Sequence, residues 1–152
     1  MAQDIKKIIA QEYLKCAKDP AYFMRKYCFI QHPTRGRILF NLYPFQEKAL
    51  HLFRDNQYII TLKSRQLGIS TLASAYSLWL MIFHKDKNVL ALATTQATAR
   101  NLVTKTMFMY DQLPKWIKLP ALEKNKLSLR LKNGSKITAK SSNADAARSE
   151  AV

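Results

Sequence analysis

The stretch "TLKSRQLGIST", residues 61–71, carries the residue types of a phosphate-binding loop. Such a loop runs Gly-x-x-x-x-Gly-Lys-Ser/Thr between a strand and a helix. Its backbone N–H groups cradle the phosphates, its lysine neutralises the β- and γ-phosphates, and its hydroxyl reaches Mg²⁺. Aligned on Gly68 and Ser70, this chain has Ile69 where the lysine belongs and Lys63 where the first glycine belongs. Lys63 stands at the mouth of the loop, on a stem long enough to swing toward the β- and γ-phosphates. Arg65 is a second cation, whose fork suits bidentate phosphate contact. Ser64, Gln66 and Leu67 supply the intervening backbone, Ser70 is expected to offer its hydroxyl to Mg²⁺, and Thr71 is the substitute. Taken alone, so degenerate a loop favours a plainer reading. That reading is a polar turn before a Ser-capped helix, with Lys63 and Arg65 merely solvated.

Two neighbouring stretches tip the balance toward a nucleotide. In "LYPFQEKAL", Gln46 lies just inside a helix after the turn Tyr43-Pro44-Phe45. A glutamine amide offers a donor and an acceptor, which match the N6 and N7 edge of adenine. In isolation Gln46 would be an ordinary solvated helix residue. Beyond the loop, a second apolar run ends in Thr94 and Thr95. Hydroxyl side chains at the carboxyl end of a parallel strand lie on the face where α/β sheets bind ligands. Thr95 also serves as a helix N-cap in either reading.

The elements that must position these residues follow from periodicity. "IKKIIAQEYLKCA" has near-helical spacing and stops before Asp19-Pro20, and "PAYFMRKYCFI" predicts a second short helix with Pro20 in its first turn. "QHPTRGRILFNLYP" reads as a loop punctuated by Pro33, Gly36 and Pro44, and "FQEKALHLFRDN" as a third helix. "QYIITLK" has the β-branched and aromatic make-up of a buried strand, and "STLASAYSLWLMIFHK" is apolar nearly all round, as in a helix packed on a sheet. "KNVLALATT" is a second strand-like run, followed by the helix "QATARNLVTKTMFMYDQL". Two buried strands joined by a helix predict a right-handed βαβ unit with parallel strands. "LSLRLKNGSKITAKSS" alternates with period two around Asn133-Gly134, a hairpin signal.

Composition narrows the class. The chain has 152 residues, 48% of them hydrophobic, enough for one domain with a sizeable core. Lys and Arg number 25 against 10 Asp and Glu, a formal net charge of +15 spread along the chain. A folded domain this basic meets a polyanion, with nucleic acid foremost, although a ribosomal or membrane surface fits the charge as well. The cysteines, Cys16 and Cys28, have neither C-x-x-C spacing nor histidine pairs nearby, which argues against a disulfide framework or zinc site and for a reducing cytosol. Charge from Asp4 onward argues against a signal peptide, and the longest apolar run, "LWLMIF", is too short to span a membrane.

In order, "DPAYFMRKYCFI", "LYPFQEKAL", "KSRQLGIST", "ATTQATARNL", the Asn-Gly hairpin and "SSNADAARSEA" resemble the N-terminal ATPase domain of tailed-bacteriophage terminase large subunits, the DNA-packaging motors. The likeness covers about Asp19 to the end. It implies an α/β fold of the P-loop NTPase, RecA-like kind: a parallel sheet flanked by helices, here incomplete. Residues 1–42 would form a helical lead-in and residues 43–152 a partial ATPase domain with the hairpin near its end. By the same resemblance, ATP and Mg²⁺ would be bound, with Gln46 reading adenine in a pocket shaped by Tyr43 and Phe45. Residues 63–71 would be a Walker A variant whose lysine leads the loop, and Arg65 would act on the γ-phosphate. Thr94 and Thr95 would fall in the motif after the second strand. Arg148 would match a further arginine, with Ser149 standing where relatives carry glycine.

The implied partners are double-stranded DNA, the portal protein, the small terminase subunit and further copies in a ring, in the host cytoplasm and with no membrane. A Walker B strand ending in Asp-Glu, whose carboxylates hold Mg²⁺ and orient the attacking water, would come after "AARSEAV", where this sequence stops. The chain is therefore expected to be an N-terminal portion of a larger motor, with negligible hydrolysis by itself. Two other readings fit the residues: a non-catalytic nucleic-acid-binding module using the +15 charge and the rings of Tyr43, Phe45 and Trp116, and a helicase-like nucleotide-binding fragment.

Overall fold

Asp19 separates two helices, as the Asp-Pro pair predicts. In a computed structural model that describes residues 2–142, α1 (Ala2–Lys18) ends just before it and α2 (Pro20–Tyr27) begins just after. The Asp19 carboxylate accepts the Ala21 N–H at 2.8 Å, and Pro20 fills the first helical position, where a missing N–H costs nothing. Glu12 of α1 knots the two helices together, accepting from the Tyr22 hydroxyl at 2.7 Å, Lys26 Nζ at 2.6 Å and the Tyr27 hydroxyl at 2.8 Å. The predicted second helix runs too far. Cys28 leaves it with extended backbone, and the segment expected to be a loop is instead a hairpin, β1 (Phe29–His32) paired antiparallel with β2 (Gly36–Leu39). Its turn is tied by His32, whose Nδ1 accepts the N–H groups of Thr34 and Arg35, both at 3.2 Å.

Next come α3 (Pro44–Asp55) and α4 (Ile69–Phe83), the central helix. Leu72, Ala75, Leu78, Met81 and Ile82 of α4 are buried in a core shared with Phe23 and Met24 of α2 and with Val103 and Met109 of a later helix. Each large apolar side chain so buried contributes about 1.5–3 kcal/mol. Ser74 and Ser77 are tolerated inside because their hydroxyls donate to the carbonyls of Ser70 and Ala73, one turn back, at 2.9 and 2.8 Å. Trp79 donates its indole N–H to the Cys16 carbonyl at 2.8 Å, pinning α1 to α4. The core is thus continuous between the lead-in, residues 1–42, and the rest.

The sheet departs from expectation. Its strands are β3 (Asn88–Ala93), β4 (Ala121–Lys124), β5 (Ser128–Leu131) and β6 (Lys136–Ser141), in the order β3-β6-β5-β4. Only β3 and β6 are parallel; β5 pairs antiparallel with both β6 and β4. The fold is therefore mixed α/β rather than a clearly parallel P-loop sheet. The parallel connection that forms runs from β3 through α5 (Gln96–Asp111) to β6, with α5 packed on both strands. The predicted first strand, residues 57–63, pairs with no strand among the described residues, and its Ile60 and Leu62 are fully exposed. Its make-up suits a strand, but a strand exists only where a partner supplies the other half of the hydrogen bonds.

The Asn133-Gly134 hairpin forms as its residues dictate. Gly134 has φ +85°, and a Cβ there would collide with Asp86 Oδ1. Asn133 uses its amide to donate to the carbonyls of Met81 and His84 at 2.8 and 3.2 Å, so the hairpin tip caps the end of α4.

Candidate functional site

The loop between residues 57–63 and α4 is built by left-handed backbone. Gln66 has φ 64° and Gly68 has φ 69°, and α4 starts immediately after Gly68, with no side chain capping it. The first intrahelical bond is Leu72 N–H to the Gly68 carbonyl at 2.9 Å, so the N–H groups ahead of it are the orphan donors of a helix start. Ser-capping, the plainer alternative, does not occur. Two cations, Lys63 and Arg65, precede these donors in the chain. Lys63 is exposed and reaches only the Ser64 carbonyl, at 3.3 Å, and no carboxylate among the described residues pairs with Lys63 or Arg65. Ser70 is exposed in the first turn, and Thr71 is half-buried beside it.

Gln46 is neither solvated nor open. It is 2% exposed, its Oε1 accepts the Tyr43 N–H at 3.0 Å, and its Nε2 donates to the Leu67 carbonyl at 3.1 Å. One side chain thereby closes the start of α3 and holds the loop against it. The same amide explains Gly68, where a Cβ would stand 2.7 Å from Nε2. Beside this bracket, Tyr43 and Phe45 stack with centroids 5.7 Å apart and planes 7° from parallel, and both are exposed. They form a flat aromatic plate next to the loop, suited to a heterocycle's face.

Thr94 and Thr95 follow the carboxyl end of β3, where Ala93 lies level with Ser141 of β6. Thr95 is the N-cap of α5, its hydroxyl accepting the Thr98 N–H at 3.2 Å. Arg148 lies outside the described residues. One cation near the loop gave no sign of itself in the sequence: Lys105 of α5 donates to the Thr71 hydroxyl at 3.3 Å. Nothing in the periodicity of α5 distinguishes Lys105 from other exposed lysines, because its neighbour comes from a different helix.

The residues present suit a nucleotide with its metal. The uncapped helix start and left-handed loop supply donors, Lys63 and Arg65 supply positive charge, and Ser70 supplies an exposed hydroxyl. Ile69 stands in the lysine's usual place, so a cation for a phosphate would have to come from another position.

No protein-family model matches the chain. The fold is similar to that of the HK97 bacteriophage large terminase, known from a crystal structure, with a TM-score of 0.64 and 17% sequence identity over 82% of this chain. The chain spans 27% of the length of that protein. At this identity the likeness establishes a terminase-like fold.

Proposed function

We propose that the chain is the nucleotide-binding part of a DNA-packaging motor of the large-terminase class, holding ATP with Mg²⁺ at residues 63–71. The observation that carries this reading is the uncapped start of α4 behind two left-handed residues, preceded by Lys63 and Arg65, which pair with no carboxylate among the described residues, in a terminase-like fold. Orphan N–H groups with adjacent cations are the donor set that a polyphosphate requires. ATP bound there supplies the free energy of its hydrolysis to the motor. Lys63 and Arg65 offset the phosphate charge, Ser70 serves the metal, and Gly68 keeps the backbone approachable. The Tyr43–Phe45 plate takes the adenine ring. Gln46 holds the loop through Leu67, and reads the adenine edge only if it gives up one of its two present hydrogen bonds. In this setting the partners are double-stranded DNA, the portal protein, the small terminase subunit and neighbouring copies in a ring, within the host cytoplasm.

The test is binding of a fluorescent, non-hydrolysable ATP analogue with Mg²⁺. Lys63→Ala should weaken it about tenfold or more, the worth of a hydrogen bond to a charged group. Unchanged affinity returns Lys63 to the role of a solvated lysine. Absence of saturable binding, together with salt-sensitive DNA binding that nucleotide leaves unaffected, would favour the non-catalytic nucleic-acid-binding module instead.

A further inference from the structure

A cleft of about 410 Å³ lies away from the aromatic plate, between the β1–β2 hairpin, the first turn of α4 and α5. That volume is within the range of small-ligand sites, roughly 300–1,000 Å³. Its walls divide by chemistry. Ile30, Pro33, Phe108 and Met109 form an apolar side with one aromatic ring, while Lys105, Thr71, Thr104 and His32 bring a cation, two hydroxyls and an imidazole. No carboxylate lines it, and Lys105 has a neutral partner, the Thr71 hydroxyl at 3.3 Å. His32 is fixed in one tautomer when neutral. Its Nδ1 accepts two backbone N–H groups at 3.2 Å, which leaves the proton on Nε2 as a donor.

We propose that this cleft, which meets the 63–71 loop only at Thr71, is a second ligand site for a phosphate monoester carried on a planar ring, the chemistry of a nucleoside monophosphate. The ammonium of Lys105 and the hydroxyls of Thr71 and Thr104 receive the anionic group, a charge-assisted set with no competing carboxylate. The ring lies against Phe108, with Ile30 and Pro33 of the hairpin closing the other side. The lining holds one ammonium, which suits a single phosphate group better than a polyphosphate. The inference does not depend on a nucleotide at the loop.

Titration of the full chain with deoxyadenosine monophosphate, followed by the ring proton resonances of His32, tests it. The His32 signal is identified by its loss in His32→Gln. It should shift saturably, and Lys105→Ala should raise the midpoint about tenfold or more, with Lys105→Arg restoring much of the loss. Inorganic phosphate should bind more weakly than the nucleotide, because it leaves the apolar wall unused. A His32 signal that does not move, or a midpoint indifferent to Lys105→Ala, overturns the proposal. So does equal binding of inorganic phosphate, which removes the ring from it. A response abolished by Lys63→Ala instead would put the probe in the loop, and would count against the cleft while leaving the nucleotide reading intact.

Discussion

Gln46 and Gly68 explain each other. The amide of Gln46 is buried between α3 and the loop, and it lies where a side chain at position 68 would go. Gly68 also has φ 69°, where an L-residue is strained by about 1–2 kcal/mol. Gly68→Ala should therefore destabilise the chain by about 1–2 kcal/mol or more from backbone strain and the encounter with Nε2 together. Gln46→Ala in the same chain removes the encounter but not the strain. Urea denaturation of both single variants and the double variant separates the two effects. The double variant should lose less than the sum of the single losses; strict additivity would mean that the amide and the glycine do not meet. Both cysteines are buried and unpaired; burial, and then the Glu12 carboxylate, pushes the Cys16 thiol up to about 12, and burial raises that of Cys28 as well, which disfavours the thiolate at both.

Helix α1 is held by few contacts, and one of them titrates. The Glu12 carboxyl, ordinarily near 4.5, is held down to about 2 by the Lys26 ammonium and then by the hydroxyls of Tyr22 and Tyr27. A carboxyl lowered in the folded state stabilises fully above its unfolded value, and that contribution fades as the pH falls through its folded value. Wild type should therefore exceed Glu12→Gln in stability at neutral pH. The difference should shrink below about 4.5 and disappear only below about 2, measured as paired denaturation curves across that range. A constant difference would assign Glu12 a packing role only. The segment 57–63 poses the opposite case among the elements: its residues suit a strand, yet Ile60 and Leu62 are fully exposed and no described strand pairs with it.

At the scale of the whole molecule, charge dominates. A net +15 on 152 residues makes any contact with double-stranded DNA a counterion-release reaction. Neutralising two phosphates already implies about a tenfold loss of affinity for a fourfold rise in salt. Filter binding or fluorescence anisotropy across a salt series should show at least that slope. A flat series would mean that the basic residues serve solubility and not DNA. The described residues contain no helix long and apolar enough to cross a membrane.

Much of the architecture was legible because its causes are local. Asp19-Pro20 breaks the first helix through capping and a missing N–H, and Asn133-Gly134 turns the chain because glycine accepts positive φ. Gly68 before Ser70 marked a loop at a helix start for the same reason. Other features depended on pairs of distant residues, and periodicity does not encode those. The second helix overran into β1 because apolar residues suit either element until a partner strand takes them up. The parallel pair proved to be β3 with β6, and segment 57–63 stayed outside the sheet, because hydrogen-bond partners are chosen by packing and not by composition. The sequence by itself determined where the chain bends, caps and carries its charge. Only the tertiary structure decided that Gln46 holds Leu67 and that Lys105 meets Thr71, since each contact joins groups that come within reach only after the helices have packed.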